Sequence, residues 1–560
     1  MIRSILVVGS AAIVVSAIGL AAQTRAANPL ANLKTTPERT NYEQTSRYAD
    51  VIAFMQAVEQ AAPKLVHLTT FGYTNEGRPL PLAVVGAPDA TPQAVKATGK
   101  LRVYIQGNIH GGEVEGKESA QMLLRDLAQG KHAEWLKTMV LLIGPIYNAD
   151  GNERVTLTNR GRQHGPVGGM GQRPNAQDLD LNRDHMKLDS PEGRSVVKLM
   201  NEYDPHVSVD LHTTNGSYHA YHLTYAPPLN QATDPAIIDL LRKQWLPAFT
   251  KTIKSKYGWD YYYYGNVTGG GRGEGRGGRG RAGAPGGRGE TAPPAPAQAP
   301  PAGERIWATF DNRPRFNNNY IGLRNRIAIL SEAYSYSTFE DRITATNRFL
   351  EENLAYAGAN ADAIKRLTAD IDKKPIVGTT LGLRAELDRS PEPVEILMGE
   401  VTEERNPYSG QMMFRRVDVR KPERMIEQGT FKATVIERVP SSYFIPSNLR
   451  NVIDRLQAHG IATTTLPAVQ TMAVEEFRLE GIEPAAQPFQ NRTERTLRGS
   501  WAEADRELPA GTVRVDLSQP LGRLAFYLIE PRSDDGLANW NLVDGLEGDA
   551  KVYPIVRTRN

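Results

Sequence analysis

Apolar residues in this chain come in short runs, and after several of them the spacing changes from strand-like to helical. Residues 101–106, Leu-Arg-Val-Tyr-Ile-Gln, predict a strand rich in branched and aromatic side chains. The segment after it places Ala120, Leu123, Leu124 and Leu127 on one face of a helix. Runs at 139–146 and 207–209 repeat the strand signal, each followed by a polar segment: Asn148-Ala149-Asp150-Gly151 and Asp210-Leu211-His212. Upstream, residues 46–63 predict a helix leading into a strand at 66–70 and a turn at 77–81. Strands alternating with helices predict an α/β fold whose sheet is mixed and mostly parallel, flanked by helices, with sites at strand ends.

Three changes of texture divide the chain. At the start, Arg3 precedes an apolar run over residues 5–20 and small residues through Ala27, which predicts a signal peptide over residues 1–26 and an exported protein, periplasmic or secreted. No other run is long enough to span a membrane. Between 265 and 303 the chain becomes Gly- and Arg-rich, then Pro- and Ala-rich, a composition that cannot bury a core and predicts a disordered insertion. Its arginines (Arg272, Arg276, Arg279, Arg281, Arg288) lack interleaved aromatics for base stacking, so no nucleic-acid partner is expected. After 372 the runs shorten and are separated by Pro and Gly. That pattern predicts a smaller α+β accessory domain over 373–560, with strands at 394–397, 432–436 and 524–529 and a helix at 447–459 capped by Ser447. Residues 27–372 are then the main domain.

Composition narrows the chemistry. The 560 residues carry 66 basic and 63 acidic side chains, a net +3, which points to no polyanionic partner. There is no cysteine, so a metal site must use His, Asp and Glu. Gly107-Asn108-Ile109-His110-Gly111-Gly112-Glu113 offers two ligands from one turn, with glycines that let both side chains reach one ion. His212, at the end of another apolar run, completes the three protein ligands a catalytic zinc takes. Glu113 could equally be a helix N-terminal carboxylate, and Glu115 competes with it as ligand.

These motifs, with Asp180-Leu181-Asn182-Arg183 and the run Ile327-Ala328-Ile329-Leu330-Ser331-Glu332, resemble the zinc carboxypeptidase family (M14-type metallopeptidases) over roughly residues 46–370. The resemblance implies one Zn2+ per chain on His110, Glu113 and His212, and Glu332 as the general base acting on the zinc-bound water. It implies that Asp180 orients His110, that Asn182 and Arg183 grip the substrate's terminal carboxylate, and that Arg173 stabilises the oxyanion, with Arg160 and Arg162 as competitors. The expected substrate is a peptide with a free C-terminal carboxylate. One departure stands: the family's lid tyrosine has no clear counterpart, since Phe310 sits near its spacing and Tyr320 or residues 261–264 are substitutes. Rival readings are a zinc amide hydrolase acting on cell-wall peptides or acylated amino acids, and a non-catalytic binding protein.

Overall fold

The computed structural model describes residues 30–268, 304–547 and 550–559. The expected signal peptide, and all of the expected insertion beyond Thr268, lie outside the described residues. At the centre is an eight-stranded sheet. Its strands, with the two short ones that intervene in the chain, are β1 (Val66–Tyr73), β2 (Pro79–Val85), β3 (Leu101–Gly107), β4 (Met139–Gly144), β5 (Val207–Thr213), β6 (Leu223–Ala226), β7 (Tyr261–Tyr263), β8 (Asn266–Thr268), β9 (Ile306–Ala308) and β10 (Ile327–Ala333). The sheet order is β1-β2-β4-β3-β5-β10-β6-β7. The junctions β4-β3, β3-β5, β5-β10 and β6-β7 are parallel, and the other three are antiparallel. The sheet is mixed and mostly parallel, as the alternation of runs predicts.

Both faces are covered, which is why the central strands read as nearly continuous apolar runs. Val103, Ile105, Val207, Val209, Leu211, Ile327 and Ile329 share one cluster with Phe54 and Val58 of helix Tyr48–Ala61, Leu123 and Leu127 of Glu115–Ala128, and Phe349 of Phe339–Ala359. On the other face Tyr104, Val140 and Leu142 pack with Val196 and Met200 of helix Pro191–Tyr203. That second cluster continues into the C-terminal part of the chain, through Leu449, Val452, Leu456, Val515 and residues 524–529.

The C-terminal part is built on a six-stranded sheet and a long hairpin, Val394–Arg405 with Met412–Gln428. Two expectations need correction here. Residues 524–529 belong to a helix, Gly522–Ile529, with every residue buried; a short apolar run enclosed on all sides carries no periodicity to separate strand from helix. The other helix is Arg450–Ala458, with Leu449 rather than Ser447 at its N-cap, while Gly460, at φ +81°, ends it as expected. In the main domain, Pro79–Pro81 open β2 rather than a turn, and Asn266–Thr268 are a strand paired with β9, so the start of the expected insertion is ordered.

Candidate metal centre and active site

Past β3 the chain turns on Asn108, whose φ is +63°. Its Nδ2 donates to the carbonyls of His110, Gly111 and Glu113 at 3.3, 3.3 and 3.2 Å, curling the loop so that both potential ligands face one point. The glycines are needed because neighbouring backbone passes against them. A Cβ at 111 would stand 2.4 Å from the carbonyl carbon of Gly151, and one at 112 would stand 2.6 Å from the Gly171 oxygen. β5 delivers His212 to the same point. Nδ1 of His110 lies 2.9 Å from one Glu113 oxygen, and Nδ1 of His212 lies 2.8 Å from the other. All three side chains are buried, and their donor atoms lie within 4.8 Å of one another, the one such group among the described residues.

The outward nitrogen of each imidazole is held by a second carboxylate. Nε2 of His110 is 3.0 Å from Asp180 Oδ1, and Nε2 of His212 is 2.9 Å from Asp210 Oδ2. Such partners fix tautomer and ring orientation in metal sites. Asp210 is in turn reached by Gln106 Nε2 at 3.1 Å, and Gln106 by the Tyr104 hydroxyl at 3.1 Å. The charges settle accordingly. Burial alone would raise Glu113 and Asp180, but His110, Arg160 and His212 hold the first well below the usual carboxylate range, and Arg173, His110 and Arg183 do so for the second. Burial opposes protonation of His212, yet Asp210 and Glu113 raise it well above the ordinary imidazole value. The donor set, two imidazoles and a carboxylate with both rings braced, fits a zinc ion, which would compete with a proton for the same atoms.

Glu332 stands beside His212, the two residues being paired across the parallel junction of β5 and β10. Its surroundings push it up to about 8, burial first, with His212 opposing and Glu113 adding to the rise. On the other flank Asp180 opens the single turn Leu181–Arg183 and caps it, accepting from Asn182 N–H at 2.9 Å. Arg183 is buried, its guanidinium 3.8 Å from the centre of the Phe316 ring, and burial pulls it down to about 10. Its Nη1 donates to Asn182 O at 2.8 Å, but its Nε has no hydrogen-bond partner among the described residues. Arg173 donates from Nε to Asp180 at 2.9 Å and reaches Glu113 at 3.7 Å. Arg160 is paired with Glu113 directly, whereas Arg162 is exposed.

Residues 51–270 match the zinc carboxypeptidase family model. The chain carries a zinc carboxypeptidase domain. Carboxypeptidase 2 of Trichophyton equinum is 23% identical over 519 residues, 87% of this chain and 81% of the relative. Carboxypeptidase D of Mus musculus is 32% identical over 160 residues, 25% of this chain and 12% of the relative. Among solved structures, a metallo-carboxypeptidase from Burkholderia cenocepacia aligns with a TM-score of 0.38 at 16% identity, over 56% of this chain and 70% of that one. The family hydrolyses peptides and depends on zinc, and metallocarboxypeptidase activity is the function this match carries.

Within the zinc carboxypeptidase domain the structure separates several residues that the sequence left in competition. Glu115 turns away from the His-Glu-His group and accepts from Arg342 Nε at 3.3 Å. Tyr320 is fully buried, its hydroxyl 2.8 Å from His459 Nδ1, which removes it from any mobile role. Tyr261 is likewise buried and donates to Ala345 O at 2.7 Å. Phe310 packs edge-on to Tyr264 at 5.4 Å and beside Phe316 at 5.3 Å, on the Arg183 flank. Other histidines are committed elsewhere: His206 accepts from Arg102 N–H at 3.0 Å, and His222 stacks on Trp259 at 4.2 Å. Asp210 was not singled out from the sequence. Its signal was present, an Asp two residues before His212 and hence on the same face of one strand.

Proposed function

We propose that this metallocarboxypeptidase is exported and removes C-terminal residues from peptides, using one zinc held by His110, Glu113 and His212. The observation that carries the reading is that Glu332 pairs in register with His212, while the buried Arg183, whose Nε has no partner among the described residues, reaches Asp180, the carboxylate that holds His110. When bound, zinc would supply Lewis acidity toward the scissile carbonyl and a water acidified toward neutrality. Arg183 and Asn182 hold the substrate's terminal carboxylate, a role suited to a planar guanidinium with donors to spare. Arg173 donates toward the carbonyl oxygen as negative charge develops there. Glu332 takes a proton on its carboxylate and returns it to the departing amine, and the dication would lower it from its raised value toward the range where it can do so. Asp180 and Asp210 keep the Nδ1 atoms of the two imidazoles free for the metal.

Export rests on Arg3 and the apolar run of residues 5–20, and no helix among the described residues is long and apolar enough to cross a membrane. We divide the mature chain into a catalytic domain over 27–372 and an accessory domain over 373–560 that shares its core. Incubating the purified chain with a peptide library tests the function. Stepwise loss of single C-terminal residues, abolished by chelation and restored by zinc, is the expected result. Cleavage within peptides, or none despite bound metal, contradicts it.

A further inference from the structure

The chain beyond the family-matched segment packs back onto the loops at Arg162 and at Tyr218–Ala220 as the hairpin Val394–Arg405 and Met412–Gln428. Its base is anchored by Ile426–Gln428 running parallel beside β9. Its outer end lies on the loops that carry Arg162, Val167 and Tyr336. Phe414 N–H donates to Arg162 O at 2.9 Å, Arg416 N–H to Tyr336 O at 2.6 Å, and Asn406 Nδ2 to Val167 O at 3.2 Å, while His164 Nε2 is 2.7 Å from Glu404. The Phe414 ring meets Tyr336 at 5.2 Å and Tyr218 at 6.2 Å, with the Arg162 guanidinium 5.7 Å from its centre. Tyr336 is buried, Phe414 and Tyr218 are half-buried, and Arg162 is exposed. Two residues before Arg162, Arg160 pairs with Glu113. The aromatic and basic patch therefore begins at the Glu113 side of the metal group, whereas Arg183 belongs to the His110 side through Asp180.

We infer that Arg162, Tyr218 and Phe414 bind the part of the substrate upstream of the scissile bond, so that the hairpin of the C-terminal region forms part of the substrate site and turnover depends on peptide length. The inference rests on the carboxypeptidase reading. With the terminal carboxylate fixed at Arg183, the rest of the peptide must leave along the other flank. An extended chain advances about 3.3 Å per residue, so the residues before the scissile bond run out toward the patch that starts at Arg160. Half-buried rings flanked by a guanidinium offer an apolar surface and donors to a peptide backbone without selecting one side chain. Binding energy gained there, away from the reacting atoms, is of the kind that raises kcat/KM for longer substrates.

The test compares kcat/KM for an octapeptide and an N-blocked dipeptide that share their last two residues, using the full chain. The ratio of the two is expected to be about 10 or more, to fall about fivefold in Phe414→Ala and in Arg162→Ala, and to be kept in Phe414→Tyr. Arg162 is exposed, so its variant keeps the experiment informative if the Phe414 variant fails to fold. Turnover of both peptides with a ratio near one, or a ratio unchanged in both alanine variants, overturns the inference alone. No turnover of either peptide overturns the carboxypeptidase reading and the inference with it.

Discussion

Two buried charge clusters in this molecule contrast. Against the C-terminal sheet, at the end of helix Gly522–Ile529, Glu530 is fully buried and accepts from the Tyr443 hydroxyl at 2.5 Å, Trp501 Nε1 at 3.3 Å and Arg557 Nη1 at 3.2 Å. Arg557 also pairs with Glu475 at 2.7 Å and Glu437 at 3.3 Å and lies 4.2 Å from the centre of the Trp501 ring. Every charge there is enclosed by its own donors and acceptors. At the end of the central sheet, Glu332 is governed by burial and by the charges of His212, Glu113, Arg173 and Arg160, and Arg183 keeps a donor unused. Buried polarity that is saturated holds a fold together; buried polarity left open costs stability, and at Arg183 the proposed return is a grip on the substrate's carboxylate.

Changes on the two sides should therefore report on different quantities. Glu332→Gln is expected to lower kcat about 10²- to 10⁴-fold while metal content, read by elemental analysis, stays at one per chain. Arg557→Met strands Glu530 and should destabilise the fold by about 3–5 kcal/mol in denaturant unfolding, with the kcat/KM of the folded fraction unaltered. Asp210→Asn lies between these cases. It removes the carboxylate that holds His212 and should weaken zinc about 10- to 100-fold in a competition titration. The smallest effect concerns pH. Burial pushes Glu530 up to about 7, with Arg557 opposing, so the folded state holds its proton more tightly than the unfolded state. Its contribution to stability is present at pH 4 and lost as pH rises through 7, and Glu530→Gln should flatten that slope in melts between pH 4.5 and 7.5.

The sequence made the central sheet legible because strands buried on both faces write their position as uninterrupted apolar runs. It also pointed to His110, Glu113 and His212 as one candidate group, because they sit where such runs stop, and the structure brings their donor atoms within 4.8 Å of one another. The C-terminal region was harder to read. Residues 524–529 are enclosed on every side, and enclosure erases the periodicity that tells helix from strand. Among the arginines the difficulty was spatial: Arg160 and Arg173 are separated by a loop, yet both reach Glu113, and no local spacing encodes that convergence. The packing of Phe414 was invisible for the same reason, since its contacts with Arg162 and Tyr336 join segments remote in the chain.

X-ray absorption on the zinc-loaded chain addresses the central claim most directly. The expected shell is two imidazole nitrogens at about 2.0–2.1 Å with carboxylate and water oxygens at about 2.0–2.2 Å, at one zinc per chain, and His212→Ala should abolish it. An all-oxygen shell, or one that survives loss of His212, would contradict the assignment of His110, Glu113 and His212 as the metal site.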